Sequence, residues 1–198
     1  MTIKRIDFGN ADWKKEPVVT AYTFRFTETP EFTQLEDCIT TCVNRQHPEG
    51  FDNISILTRE RYGIGVDVKL TCAFEDWGCP EIIIVEKLED CEDGALRYGP
   101  CFEIVLYKNG INIWRHFRDD GKCHWHKRVG VEFPVSENEK HVLHVQVLDK
   151  TLLVEVDEHK FELRTEDLPE KFHVGLTGCE GIARIYEMAV EEIQQEQM

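Results

Sequence analysis

Between Val66 and Phe74 the chain alternates without a break. Val66, Val68, Leu70, Cys72 and Phe74 fall on one side, and Asp67, Lys69, Thr71 and Ala73 on the other. An apolar period of two sustained this long belongs to a strand with one buried and one wetter face. No stretch of similar length keeps the period of about 3.6 that an amphipathic helix needs. The remainder repeats the pattern in shorter pieces bounded by turn residues, as sandwiches and barrels do. The expected strands are Ile3–Phe8, Val18–Phe26, Ile39–Val43, Ile54–Thr58, Gly65–Phe74, Glu81–Lys87, Cys101–Lys108, Ile111–Arg118, Lys122–Gly130, Val142–Leu148, Leu152–Asp157, Lys160–Leu163, His173–Thr177 and Arg184–Val190. Short helical turns are expected only at Glu31–Asp37 and Glu187–Gln195.

A chain of 198 residues, 41% hydrophobic and without a Pro/Gly/Ser-rich linker, reads as one β-sandwich domain over 1–198. Apolar runs such as Ile82–Val85 fall far short of the roughly 20 residues of a membrane helix. The opening Met-Thr-Ile-Lys-Arg-Ile-Asp has no apolar signal core, so the expected location is cytoplasmic. In such a compartment the eight cysteines are expected as free thiols. A net charge of −15 disfavours nucleic acid, whose phosphates call for clustered Lys and Arg, and disfavours anionic membrane surfaces.

Turn chemistry sets the register of a three-stranded meander over Cys101–Lys108, Ile111–Arg118 and Lys122–Gly130. Asn109-Gly110 and Asp120-Gly121 read as two-residue hairpin loops, and Leu148-Asp149-Lys150-Thr151 as a third hairpin. With those loops Glu103 opposes His116, Tyr107 opposes Asn112, His116 opposes Trp125 and Trp114 opposes Lys127. Opposed residues share a face. Phe102, Ile104, Leu106, Ile113 and Phe117 then form the core side. Glu103, Tyr107, Asn112, Trp114, His116, Arg118, Trp125 and Lys127 form the other.

The C-terminal stretch resembles the concanavalin A-like lectin/glucanase superfamily. The likeness lies in His141-Val142-Leu143-His144-Val145-Gln146-Val147, a turn, Leu152-Leu153-Val154-Glu155-Val156-Asp157, a turn, and Phe172-His173-Val174-Gly175-Leu176-Thr177-Gly178-Cys179-Glu180-Gly181, before the closing Ala183–Val190. The resemblance implies an all-β, two-sheet antiparallel jelly-roll sandwich, with the last strand beside an N-terminal strand such as Ile3–Phe8. It implies no catalytic residue. The Glu-x-Asp-x-(x)-Glu strand of family 16 glucanases has no counterpart in Glu86–Asp90 or Glu187–Glu192. Trp77-Gly78-Cys79-Pro80-Glu81 resembles the galectin Trp-Gly-x-Glu only loosely, and Asp90–Gly94 lacks the legume-lectin calcium pattern.

Two tryptophans, a tyrosine and hydrogen-bonding groups on one sheet face suit a carbohydrate ligand. Aromatic rings cover pyranose C–H surfaces while polar groups bridge hydroxyls. Tyr107, Asn112, Trp114, Arg118, Trp125 and Lys127 are the candidate ligand-binding residues. Glu103 and His116 are the candidate acid/base pair, with Asp67 the only other carboxylate considered for that face. Sugar cleavage ordinarily needs two carboxyls at a set separation. The leading expectation is therefore a carbohydrate-recognising domain, linked to glycan breakdown. The alternatives are a glycoside hydrolase or polysaccharide lyase on the same scaffold, and a protein-interaction or homodimer module. No cofactor and no metal are expected: His124 and His126 share a strand face, but Cys123 points away from it. Gly63-Ile64-Gly65-Val66 is no phosphate loop, and Glu180-Gly181 reads as a turn that could place a carboxylate at a cleft edge.

Overall fold

The structure, a computed structural model, describes residues 3–24, 32–41, 53–92, 94–119 and 122–193. For Ile3, Thr23, Phe24, Asn53, Arg118, Lys122 and Cys123 it describes the backbone alone. The strands are β1 (Ile3–Asp7), β2 (Val18–Phe24), β3 (Thr33–Gln34), β4 (Ile39–Thr40), β5 (Asn53–Thr58), β6 (Val66–Glu75), β7 (Cys79–Val85), β8 (Leu88–Asp90), β9 (Leu96–Tyr98), β10 (Cys101–Tyr107), β11 (Gly110–Asp119), β12 (Lys122–Glu132), β13 (His141–Leu148), β14 (Thr151–Val156), β15 (His159–Arg164), β16 (His173–Cys179) and β17 (Ile182–Glu192). They form two sheets. One runs β15-β14-β13-β6-β17-β4-β3, with β1 also on β17; the other runs β12-β11-β10-β7-β16-β5-β2-β9-β8. All pairs are antiparallel except β2 with β9.

The alternation over Val66–Phe74 decides the first sheet. Val66, Val68, Leu70, Cys72 and Phe74 of β6 are fully buried in the core between the sheets, against Leu143, Val145 and Val147 of β13. From the other sheet come Ile82 and Ile84, Phe102, Ile104 and Leu106, Ile111 and Ile113. The final strand lies beside the first, Ile6 opposite Met188, as the resemblance implied.

Strand β7 is buried along its whole length because both faces are covered. Ile82 and Ile84 enter the main core. Ile83 and Val85 enter a second apolar cluster with Ala21, Leu57, Tyr98 and Cys101 on the outward face of the nine-stranded sheet. The β8–β9 hairpin helps to close that cluster through Leu88 and Leu96.

Three local expectations change. The segment Glu31–Asp37 holds β3 rather than a helical turn, with Glu31 outside the described residues. Strand β17 continues to Glu192, so Glu187–Glu192 is extended rather than helical, and 194–195 lie outside the described residues. The one helical element among the described residues is a 3₁₀ turn at Ala11–Lys15, where the Asn10 side chain caps the Asp12 N–H.

Candidate functional site

The site is assembled by β10, β11 and β12. The first hairpin loop is Lys108-Asn109, one residue earlier than the Asn-Gly reading, so Tyr107 faces Gly110 and Glu103 faces Trp114. Gly110 carries a φ of 129°, and a Cβ there would stand 2.0 Å from the Val131 carbonyl oxygen. The glycine is thus needed at the start of a strand, not inside the loop. Moving the loop by one residue moves every partner by two, and a shift of two preserves the face. The correction therefore leaves Glu103, Tyr107, Asn112, Trp114 and His116 together.

The β11–β12 register is as expected: His116 faces Trp125, and Trp114 faces Lys127. The Asp120-Gly121 loop itself lies outside the described residues. A bulge then intervenes. Ile113 pairs with Val129 while Trp114 pairs with Lys127, so Arg128 has no opposite residue. Without that extra residue, positions 125, 127, 129 and 131 would all share one face. With it, Trp125 and Lys127 turn outward while Val129 and Val131 pack on the core. Arg128 is anchored by Asp167, 2.6 Å away.

A cleft of about 440 Å³ results. Glu103, Val105 and Tyr107 line it from β10, Asn112, Trp114 and His116 from β11, and Trp125 from β12. Lys127 lies at its rim, with Nζ 5.7 Å from the Trp114 ring centroid. The Trp125 ring meets His116 edge-on at 5.8 Å and remains 46% exposed. The side chain of Arg118 lies outside the described residues. On the opposite face of this hairpin Phe117 lies between His124 and His126, at 5.3 and 4.9 Å between ring centroids.

Beyond these, the cleft takes in Cys79 and Glu81 from β7, and Cys179 and Glu180 at the end of β16. Glu180, at φ 50°, both makes the turn into β17 and lines the cleft. Cys79 and Cys179 face each other directly across β7 and β16. Asp67 is elsewhere: it lies on β6 in the other sheet, where His144 and Gln146 donate to it at 2.8 and 2.9 Å. The cleft carboxyls besides Glu103 are Glu81 and Glu180.

Electrostatically the floor is unusual. His116 Nε2 lies 2.8 Å from Glu103 Oε2, although the residues are diagonal rather than opposed. Glu103 Oε1 and Asn112 Oδ1 are buried without a hydrogen-bond partner among the described residues, while the Cys179 thiol is a hydrogen-bonding neighbour of Glu81. Burial, and then the nearby Glu103 charge, push the Glu81 carboxyl well above its ordinary value. The neighbouring Cys79 thiol, burial and Glu81 push the Cys179 thiol up in turn. A protonated carboxyl beside an ionised one can supply both proton donor and proton acceptor. Glu103 and His116 also stand close to Cys101, and one donor atom from each of the three lies within 4.8 Å of the others.

Glu81 and Cys101 were not singled out from sequence. Cys101 precedes Glu103 by two residues and so had to share its face. Glu81 was hidden by the apolar run that follows it, which reads as core on both faces.

No family model matches this sequence, and no curated protein matches it. Solved structures do match. The carbohydrate-binding module CBM66 from Bacillus subtilis is similar with a TM-score of 0.62 at 9% identity, over 89% of this chain and 96% of that one. A β-glucanase from Bacillus licheniformis gives 0.60 at 11%, over 96% and 98%. The exoplasmic/lumenal domain of VIP36, in a form bound to Ca²⁺ and Man3GlcNAc, gives 0.63 at 11%, over 100% and 93%. At these identities the likeness is one of architecture, and the fold of this chain is that of the concanavalin A-like lectins and glucanases.

Proposed function

We propose that this chain recognises a carbohydrate in the cleft of the nine-stranded sheet. The observation that carries the reading is the convergence of Tyr107, Trp114 and Trp125 with Glu103, His116 and Asn112 in one cleft. Flat apolar rings and fixed polar groups on a rigid sheet suit a pyranose, which presents C–H faces and hydroxyl edges. The volume of about 440 Å³ falls within the roughly 300–1,000 Å³ of small-ligand sites. Similarly folded proteins add support, since one is a carbohydrate-binding module and another a lumenal domain in a form bound to Man3GlcNAc. The finer reading is a cytoplasmic domain serving glycan breakdown. Its support is the thiol-rich interior, with Cys38, Cys72, Cys79 and Cys101 buried and outside any disulfide. A glycan array probed with purified protein tests the proposal. Binding that Trp114→Ala abolishes supports it; no binding to any glycan overturns it.

A second reading, glycoside cleavage, is favoured by Glu81 and Glu103 together. Glu81 would hold the proton for a leaving oxygen, and Glu103 would act as base or nucleophile. Turnover of chromogenic glycosides that Glu81→Gln eliminates supports this; binding without turnover returns the site to recognition alone.

A further inference from the structure

We propose that Cys101, Glu103 and His116 form a binding site for a divalent transition-metal ion of the zinc class. The inference stands apart from the sugar reading and holds whether or not the cleft takes a glycan.

The placement follows from the sheet. Cys101 and Glu103 alternate along β10 and so point to one face, and His116 stands directly opposite Cys101 on β11. Their donor atoms lie within 4.8 Å of one another. A four-coordinate zinc ion, with bonds of about 2.0–2.3 Å, holds its donors roughly 3.3–3.8 Å apart. The Glu103–His116 pair, at 2.8 Å, has to open slightly and the wider donor pairs have to close, both through side-chain rotation.

The chemistry of the set selects the ion. One thiolate, one imidazole and one carboxylate suit zinc, cobalt or ferrous iron, whereas magnesium and calcium prefer oxygen alone. Three protein ligands leave a coordination position open, the pattern of a reactive rather than a purely structural zinc. That position is on the cleft side, since Glu103 and His116 line the cleft.

A second observation points to a cation independently. Glu103 is 6% exposed and Glu81 is wholly buried. Glu103 Oε1 has no hydrogen-bond partner among the described residues. A plain Glu103–His116 ion pair satisfies one Glu103 oxygen and leaves the other. Buried, unsatisfied carboxylates are costly unless paired or bound to a metal.

The test uses reduced, chelator-treated protein titrated with cobalt(II) alone and then zinc(II). The expected result is uptake of one cobalt per chain, with a thiolate-to-cobalt charge-transfer band and the strong visible d–d bands of a tetrahedral ion, all removed by zinc. Cys101→Ala should abolish the charge-transfer band. His116→Ala should weaken uptake by more than the roughly 10–100-fold that loss of an outer-shell partner costs. Cys79→Ala should retain the spectrum. Circular dichroism of each variant confirms that it is folded, and Cys101→Ala removes only one sulfur from an apolar cluster. Failure of the folded parent to take up cobalt or zinc overturns the proposal. So does a charge-transfer band that survives Cys101→Ala, or one that disappears in Cys79→Ala.

Discussion

Glu81 and Glu103 stand diagonally across the β7–β10 pair, both turned into the cleft and both almost entirely out of water. Burial first, and the Glu103 charge second, hold the Glu81 carboxyl well above its ordinary 4.5. A raised folded-state pKa stabilises fully below the unfolded value, and that contribution is lost as pH rises through the folded one. Glu81→Gln has no charge to bury. Its urea midpoint should lie close to the parent's near about pH 4 and exceed it by about 1–3 kcal/mol above neutrality. A variant less stable than the parent at about pH 8 contradicts this assignment of the carboxyl.

Trp114 and Phe102 give a paired measurement. Phe102 is fully buried in the core, whereas Trp114 lines the cleft with its ring partly in water. Phe102→Ala should cost about 3–5 kcal/mol, a fall in melting temperature on the order of 10 °C. Trp114→Ala should lower the melting temperature by well under half as much. Equal falls would place Trp114 energetically in the core and remove the main anchor of the sugar reading.

The bulge at Arg128 is open to a simple deletion. Removing Arg128 alone restores an unbroken period of two, which puts Trp125 and Lys127 on the same face as Val129 and Val131. The variant must either bury a tryptophan and a lysine or expose two valines. The expected outcome is loss of several kcal/mol by urea unfolding, with loss of any cleft ligand even where the fold persists. Arg128→Ala keeps the extra residue and loses only a partly exposed ion pair, so it should stay within about 1 kcal/mol of the parent.

Asp67 makes a separate prediction about acid stability. Burial pushes its carboxyl up, but hydrogen bonds from His144 and Gln146 outweigh burial and hold it below its ordinary 3.8. A lowered folded-state pKa stabilises above the unfolded value, and the contribution is lost as pH falls through the folded one. Asp67→Asn should therefore lose about 1 kcal/mol at pH 7. The gap should close as pH falls below 3.8. A gap that is unchanged at about pH 2.5 would show that the carboxylate charge contributes nothing there.

Much of the fold was legible because strands advertise themselves in pairs of neighbouring residues. Val66–Phe74, the Asp149-Lys150 hairpin and the closing Ala183–Val190 all carry local patterns, and all form strands. What escaped was order imposed from a distance. Leu88–Asp90 and Leu96–Tyr98 are too short to show a period, and β9 joins β2 through the parallel pairing of Arg97 with Tyr22. The cleft followed the same division. Trp114, Trp125, Glu103 and His116 could be gathered from turn chemistry and parity within one meander. Glu81 arrives from a strand whose sequence gives no sign of which end faces polar surroundings. Asp67 sits on an equally clear strand, but no local signal assigns that strand to the other sheet.

The two sheets share one topological habit with a consequence for how the chain is made. Strand β16 sits inside the nine-stranded sheet between β7 and β5, and β17 sits inside the other between β6 and β4. Strands β16 and β17, which follow all the others in chain order, are therefore keystones, not edges. Until they emerge, β7 and β6 each lack the partner on one side, and the ladder from β12 to β7 has no link to β5 and β2. Such long-range pairings are slow to form and leave strand edges exposed meanwhile. Nascent chains that stall before His173 should engage holdase chaperones strongly, and release should coincide with synthesis of β16 and β17 rather than build up gradually along the chain.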